Sequence, residues 1–523
     1  MPTTSEVTDR SATTLAADIA AGLVTATDVV NAHIARIERV NRTLNAVVVT
    51  RFDEARAEAR EIDRRRAAGE SLPPLAGVPI TVKECLDLAG TPSTFGIDAR
   101  RTHRATADDA AVARLRAAGA IVVGKTNVAQ LLLYIESDNP VYGRTSNPWN
   151  SDRTPGGSSG GEGAIIAARG SALGIGTDVG GSVRVPAAWC GIASLKPTAG
   201  RCPDPGRLSM PIGELAIASQ RGILARTVAD VALGTHIIAG TVATDGTPYA
   251  PIGDHTAIDV RTLRIGVMES DDTFPATEAV RRGVREAAEQ LRAAGATITP
   301  WRIPDLPHAE QLFFGLLTNG GGTWMTRALE GGAATPQIAF QRFVGGRGRT
   351  GRALLGAAAR AFGQRSLATF ISNVGDKDAD AHWRLVEALM HYRERVIAAL
   401  DAAPGGPLDA ILSPVNALAA FRHGASKELG LAGPYTLVYN ALGFPAGVVP
   451  VTRVQPGEDS GRAASRDLAM KRARATEIGS VGLPVGVQVG ARPWREDIAL
   501  SCMAAIERGA RAGADFPDRP PTD

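Results

Sequence analysis

The sequence predicts an α/β fold. Three observations carry that expectation. Short apolar runs of strand length recur along the 523 residues, stretches with helical spacing separate them, and glycine is abundant at 58 residues. Alternating strands and helices stack as sheet and helix layers, and a glycine-rich chain makes many tight turns and close backbone approaches. Hydrophobic residues make up 44% and charged residues 21%, which fits a large folded core and excludes wholesale disorder.

Residues 11–69 read as helices. Ser11 is placed to cap the first, with Leu15, Ile19 and Leu23 on one face. Thr27 or Asp28 opens the second, whose Val29, Val30, Ile34 and Ile37 form a stripe to be buried. The third, 52–68, is mostly charged and is expected to be exposed. Strand-like runs follow at 77–83, ending in Lys83, and at 120–125, with a helix over 107–118 between them. Residues 139–163, rich in Gly, Ser, Asn and Pro, read as loop. A short apolar run at 172–176 is followed by a helix at 225–238, a strand at 263–268 and a helix at 278–294. Further strands are expected at 408–412, 446–451 and 485–489, with an exposed polar excursion at 453–478. No repeat and no linker divides the chain. The expected organisation is one catalytic unit, 11–510, between a disordered tail at 1–10 and a second tail at 511–523.

The charge balance, 57 basic against 54 acidic residues, leaves a net +3 and gives no general attraction to nucleic acid. Cys85, Cys190, Cys202 and Cys502 lack metal or disulfide spacing, so a reduced, cytoplasmic setting is expected. No signal peptide and no transmembrane helix can be read in the sequence. One segment departs from the even charge: 331–375 holds no Asp or Glu but has Arg342, Arg347, Arg349, Arg352, Arg360 and Arg365. Within it Leu354, Leu355, Ala358, Ala361 and Phe362 fall near helical spacing. Such a segment, 342–372, is either a surface helix packed on the core or a basic amphipathic cap that covers a substrate entrance or touches a membrane surface.

Three elements carry chemistry. The first is Lys83. Of the 57 basic residues only six are lysine, and a lysine, unlike an arginine, can lose its proton when buried and serve as a base. It could equally snorkel from a strand end. The second is the loop Pro155-Gly156-Gly157-Ser158-Ser159-Gly160-Gly161-Glu162-Gly163, and the third is Gly176-Thr177-Asp178-Val179-Gly180-Gly181-Ser182-Val183-Arg184. A phosphate-binding loop would end in Gly-Lys-Ser/Thr, which is absent. Gly174-Ile175-Gly176 starts like a dinucleotide fingerprint, but the third glycine comes one place late, at Gly180. Gly156 to Gly160 fits the Gly-x-Ser-x-Gly elbow of α/β-hydrolases, yet polar turn formers precede it where a buried strand is required. That reading would make Ser158 the nucleophile and a histidine such as His236 or His391 the base. Using the three elements together, Ser182 follows small residues whose N–H groups can converge as an oxyanion hole. Ser158 could then pass its proton to Lys83, a Ser–Lys form of the hydrolytic triad.

At this point the residues resemble the amidase signature family of serine amidohydrolases. The run from Pro155 to Thr198 looks like the family signature, GVPITVKE around Lys83 like its lysine motif, and GILARTVAD (222–230) and GLPVGVQ (482–488) also match. GGSSGGEGA, with Glu162-Gly163 where many bacterial relatives have Ser-Ala, resembles the fatty acid amide hydrolase branch. So do TSNPW (145–149), PYTLVYN (434–440) and FPAGVVPV (444–451). The animal membrane enzyme of that branch has an N-terminal transmembrane helix, which this sequence lacks, and its membrane-capping helices fall where the Arg-rich segment lies. The resemblance implies one large domain with a central mixed sheet surrounded by helices. It implies Ser182 as nucleophile, Ser158 as a bridging serine after a cis peptide, Lys83 as base, and the N–H groups of Val179, Gly180, Gly181 and Ser182 as oxyanion hole. Asp178, Arg184 and Lys196 are expected to brace the structure. Leu131, Leu132 and Leu133 are expected to line an apolar acyl pocket. No metal and no organic cofactor is called for, and a homodimer is expected by analogy alone. The implied substrate is a small amide, ester or carbamate with an apolar acyl group. Two other readings are the amidase component of a tRNA-dependent amidotransferase and a non-catalytic scaffold.

Overall fold

The computed structural model describes residues 4–202, 215–240, 250–430 and 432–521; residues 1–3 and 522–523 of the expected tails lie outside them. Thirteen strands are described: β1 Val47–Thr50, β2 Pro79–Lys83, β3 Ile121–Thr126, β4 Asp138–Asn139, β5 Gly143–Arg144, β6 Leu173–Asp178, β7 Ala193–Lys196, β8 Gln220–Ala225, β9 Arg264–Val267, β10 Thr297–Pro300, β11 Ala410–Pro414, β12 Ala446–Arg453 and β13 Pro484–Ala491. Eleven form one sheet in the order β1-β3-β2-β6-β8-β7-β12-β13-β11-β9-β10, and β4 and β5 pair separately. β2 runs parallel to β3 and β6, and β9 runs parallel to β10 and β11. The other sheet pairs are antiparallel. The sheet is therefore mixed, and helices surround it.

Chemistry-bearing strands sit at the sheet's interior. β2, β3, β6, β7 and β8 are buried along their whole length, because strands covered on both faces have no solvent side to alternate toward. The first helices form as their caps dictate. Ser11 accepts from the Thr14 amide. The second helix, Ala26–Leu44, starts earlier than expected, capped by Thr25, whose Oγ1 accepts from Asp28 N at 3.0 Å. The charged helix Phe52–Ala67 does bury one line of small and apolar residues, Ala55, Ala59 and Ile62.

Several expectations are corrected. Residues 4–9 are not a disordered tail but a helix, with Val7 and Thr8 buried. The Arg226 guanidinium holds it by donating to Thr8 O at 3.1 Å. The C-terminal segment is docked as well: Arg169 pairs with both Asp9 and Asp518, and Arg519 with Asp9. The 453–478 excursion contains a helix, Leu468–Glu477, that buries Ala469 and Ala473. Arg153, itself buried, donates to Thr476 O at 2.8 Å. The glycine-rich loop passes into a buried helix, Gly160–Ala167.

The Arg-rich segment forms the helices Pro336–Gly345, Arg349–Ala361 and Arg365–Asn373. They bury a small cluster of their own, Val344, Ala359, Ala368, Ile371 and Val374, apart from the main core. The apolar stripe is not fully packed away: Leu354 is 68% and Phe362 79% exposed. Among the described residues no helix is long and apolar enough to cross a membrane.

Candidate active site

Lys83 ends β2 with no exposed surface. Its Nζ lies 2.7 Å from Ser158 Oγ, 2.8 Å from Thr177 Oγ1 and 3.3 Å from Thr177 O. An ammonium would donate to all three. A neutral amine has two N–H bonds and a lone pair, so one hydroxyl must donate back to it. Ser158 O–H pointing at Nζ is the arrangement that turns the lysine into a base. Burial supplies the driving force, lowering the Lys83 pKa to about 8.

Ser158 follows a cis Gly157–Ser158 peptide. Gly157 admits no side chain, since a Cβ there would lie 2.6 Å from the Glu136 backbone nitrogen. Ser158 and Ser159 lead into the helix Gly160–Ala167, which lies directly on the sheet. Gly174 and Gly176 are the floor that permits this: a Cβ at Gly176 would sit 2.7 Å from Ser159 Oγ, and one at Gly174 would overlap the Glu162 carboxylate. The near-fingerprint Gly174-Ile175-Gly176 is thus a packing surface beneath that helix.

Ser182 stands across from this pair. Its carbonyl accepts from Ser159 N at 3.1 Å, and at 7% exposure it is the most accessible of the three candidate residues, against 1% for Ser158 and none for Lys83. Among the described residues its hydroxyl has no side-chain partner, so Lys83 and Ser158 are joined here and Ser182 is adjacent but not hydrogen-bonded to them. The Gly181 amide, expected with the other three to face an oxyanion, donates instead to Asp178 Oδ1 at 2.8 Å. The amides of Val179, Gly180 and Ser182 have no partner among the described residues. Gly181 has φ +125°, and a Cβ there would meet Thr436 Oγ1 at 2.5 Å. A Cβ at Gly180 would lie 3.0 Å from the Phe313 ring.

Asp178 and Arg184 brace this loop. Both are fully buried and pair at 2.9 and 3.0 Å. Burial works against the carboxylate, but the guanidinium overcomes it and holds Asp178 well below the usual range. Arg184 also reaches Thr436 O, Asn440 Oδ1 and Gln488 Oε1 at 2.9, 2.5 and 3.1 Å. Removing one partner of such a pair strands a buried charge. Arg184→Met is expected to cost about 3–5 kcal/mol of stability, read as a lower midpoint in urea denaturation; an unchanged midpoint would mean the network carries no stability. Lys196 is buried too, with Nζ donating to Phe444 O at 2.7 Å and Pro197 O at 2.9 Å.

Leu131 and Leu132 are buried and Leu133 half-buried, in a tight turn where Leu131 and Leu132 both have positive φ, 55° and 61°. Gln130 fixes that turn to the segment that leads into the helix Pro336–Gly345: its Nε2 donates to Ala333 O at 2.7 Å and its Oε1 accepts from Thr335 N at 2.8 Å. Sequence reasoning missed Thr177, Phe313 and Gln130. Thr177 stood inside a motif already singled out, whereas nothing local marks the other two. His236 and His391, the bases of the α/β-hydrolase reading, are engaged elsewhere, with Ala232 O and with Glu394.

The sequence matches the amidase family over residues 28–500. Fatty-acid amide hydrolase 1 of Sus scrofa is 36% identical over 484 residues, covering 91% of this chain and 81% of that protein. A glutamyl-tRNA(Gln) amidotransferase component from Roseiflexus sp. is 31% identical over 507 residues, covering 95% and 96%. Among solved structures, a fatty acid amide hydrolase superposes with a TM-score of 0.84 at 24% identity, covering 99% of this chain and 87% of the other. A match this long, on a fold that brings the signature loops together over one buried lysine, means that the chain belongs to the amidase signature family, hydrolases of carbon–nitrogen bonds other than peptide bonds.

Proposed function

We propose that the chain is a serine amidohydrolase that cleaves amides, and by the same chemistry esters or carbamates, with an apolar acyl group. The observation that supports this most directly is the 2.7 Å contact between the buried Lys83 amine and Ser158, next to the more accessible Ser182. Neutral Lys83 takes the Ser158 proton as Ser158 takes the proton of Ser182. Ser182 Oγ bonds to the carbonyl carbon, and the oxyanion is received by the amides of Val179, Gly180 and Ser182, with Gly181 holding the loop through Asp178 or joining them as substrate binds. The C–N bond then breaks while the proton returns through Ser158 to the leaving nitrogen, without which an amine departs poorly. Water cleaves the acyl-serine by the same relay. The Ser158 and Ser182 hydroxyls close that relay in the substrate complex, where catalytic hydrogen bonds tighten. No metal or organic cofactor takes part.

Leu132, Leu133 and Phe313 are the walls we assign to the acyl side. The exposed Leu354 and Phe362 of the cap, set among arginines, suit an entrance cover with peripheral membrane contact in an otherwise cytoplasmic enzyme. A second reading, as one component of an amidotransferase complex, is favoured by the 31% identity to the Roseiflexus protein. The purified chain alone decides between them. We expect it to hydrolyse long-chain fatty amides and aryl anilides without partner proteins, with kcat/KM rising as the acyl chain lengthens. Activity that appears only with added partner proteins and aminoacyl-tRNA would overturn the proposal.

A further inference from the structure

Glu162 is a fully buried carboxyl that the proposed relay does not use. Its placement follows from strand register. Thr81 and Lys83 share one face of β2, two residues apart, and Thr126 of β3 lies directly opposite Lys83. The two threonines that flank the lysine both donate to Glu162, Thr81 Oγ1 to Oε2 at 2.6 Å and Thr126 Oγ1 to Oε1 at 2.7 Å. Among the described residues no cation pairs with this carboxyl.

The surroundings satisfy Glu162 in either protonation state. Ionised, it accepts from both threonines. Protonated, its O–H can donate to Thr81 Oγ1, which turns its own hydrogen to Ser171 Oγ at 3.2 Å, and Ser171 already donates to Leu173 O at 2.8 Å. That chain ends on a backbone carbonyl and leaves no orphan, so a proton enters or leaves at little structural cost. Burial raises the Glu162 pKa to about 8, where burial has also brought Lys83. The other charged or titratable groups acting on Lys83 are committed. Asp178 holds Arg184, Arg221 pairs with Asp109 at 2.7 Å, and the Cys85 thiol is pushed up to about 11 by burial.

We propose that Glu162 is a positioning residue for the Lys83–Ser158 pair: its negative charge raises the pH at which Lys83 gives up its proton, and neutralising it lowers the pH at which the amine can act as base. This rests on the reading of Lys83 as the base. Glu162 lies in the first turn of the helix Gly160–Ala167, which Ser158 and Ser159 lead into, so the carboxyl and the bridging serine are set by one stretch of chain.

The test is the pH dependence of phosphonylation of Ser182 by a fluorophosphonate, measured on the full chain. In wild type the rate should rise with pH as Lys83 loses its proton. Glu162→Gln removes the charge while keeping the shape, and its acid limb should move down by about one pH unit. Thr126→Val, which removes one donor to the carboxylate, should move it the same way by less, and carries the test if Glu162→Gln does not fold. A limb that stays in place while the rate or stability falls would assign Glu162 a purely structural role and overturn the proposal. Lys83→Ala separates the two levels. If that variant keeps both rate and limb, the base assignment fails; if it is inactive and the Glu162→Gln limb has not moved, only the role of Glu162 fails.

Discussion

Replacing Ser182 with alanine is expected to lower kcat by roughly 10⁵–10⁶ and to abolish covalent labelling by a fluorophosphonate. Losses of about that size follow when the nucleophile of a triad is removed, because the remaining groups act only through it. The structure gives the reason for choosing this serine. Ser158 Oγ is occupied by Lys83 at 2.7 Å, while among the described residues the Ser182 hydroxyl has no side-chain partner and its own amide and those of Val179 and Gly180 have no partner. Mass spectrometry of the labelled peptide checks it. Label on Ser158 would favour the elbow reading and remove Ser182 from the nucleophile role.

Lys83→Ala is expected to cost about 10³–10⁴ in kcat/KM, at the upper end for loss of a general base. The sign of the pH dependence follows from the same residue. A base must be neutral, and burial sets Lys83 near 8, so wild-type activity should rise through that region and fall on acidification below it. Lys83→Met, with a similar volume and no titrating group, should lose that rise along with the rate. A retained acidic limb in either variant would place the controlling group elsewhere.

Much of this could be read from the sequence, and the exceptions have physical causes. Lys83, Ser158 and Ser182 stand out as candidates because each lies in a contiguous motif, and the structure places Lys83 against Ser158 with Ser182 beside them. The strands β2, β3, β9 and β12 were visible as apolar runs. β1, β7, β8 and β10 were not. In β7 and β8 the buried polar residues Ser194, Lys196, Gln220 and Arg221 interrupt the apolar run, and the helix expected from 225 starts at Val228, after β8. The buried helix after Ser159 was read as loop because its glycines, poor helix formers alone, serve close contact with the sheet. Phe313 and Gln130 could not be anticipated, since each acts on a partner far along the chain. The commitment of Gly181 to Asp178 depends on a loop geometry that spacing does not encode.

The Arg184 network has a consequence for how activity arises during synthesis. This one guanidinium ties the loop bearing Ser182 to Thr436, Asn440 and Gln488, which are 252, 256 and 304 residues later. Until residues 436–440 and then β13 have left the ribosome, the Asp178–Arg184 pair lacks these clamps, the last of them, Gln488, until the end. A nascent chain can thus hold Lys83, Ser158 and Ser182 while remaining inert. Hydrolytic competence should appear abruptly, with the last strand to join the sheet, which makes enzymatic turnover a reporter of completed assembly rather than of the catalytic segment alone.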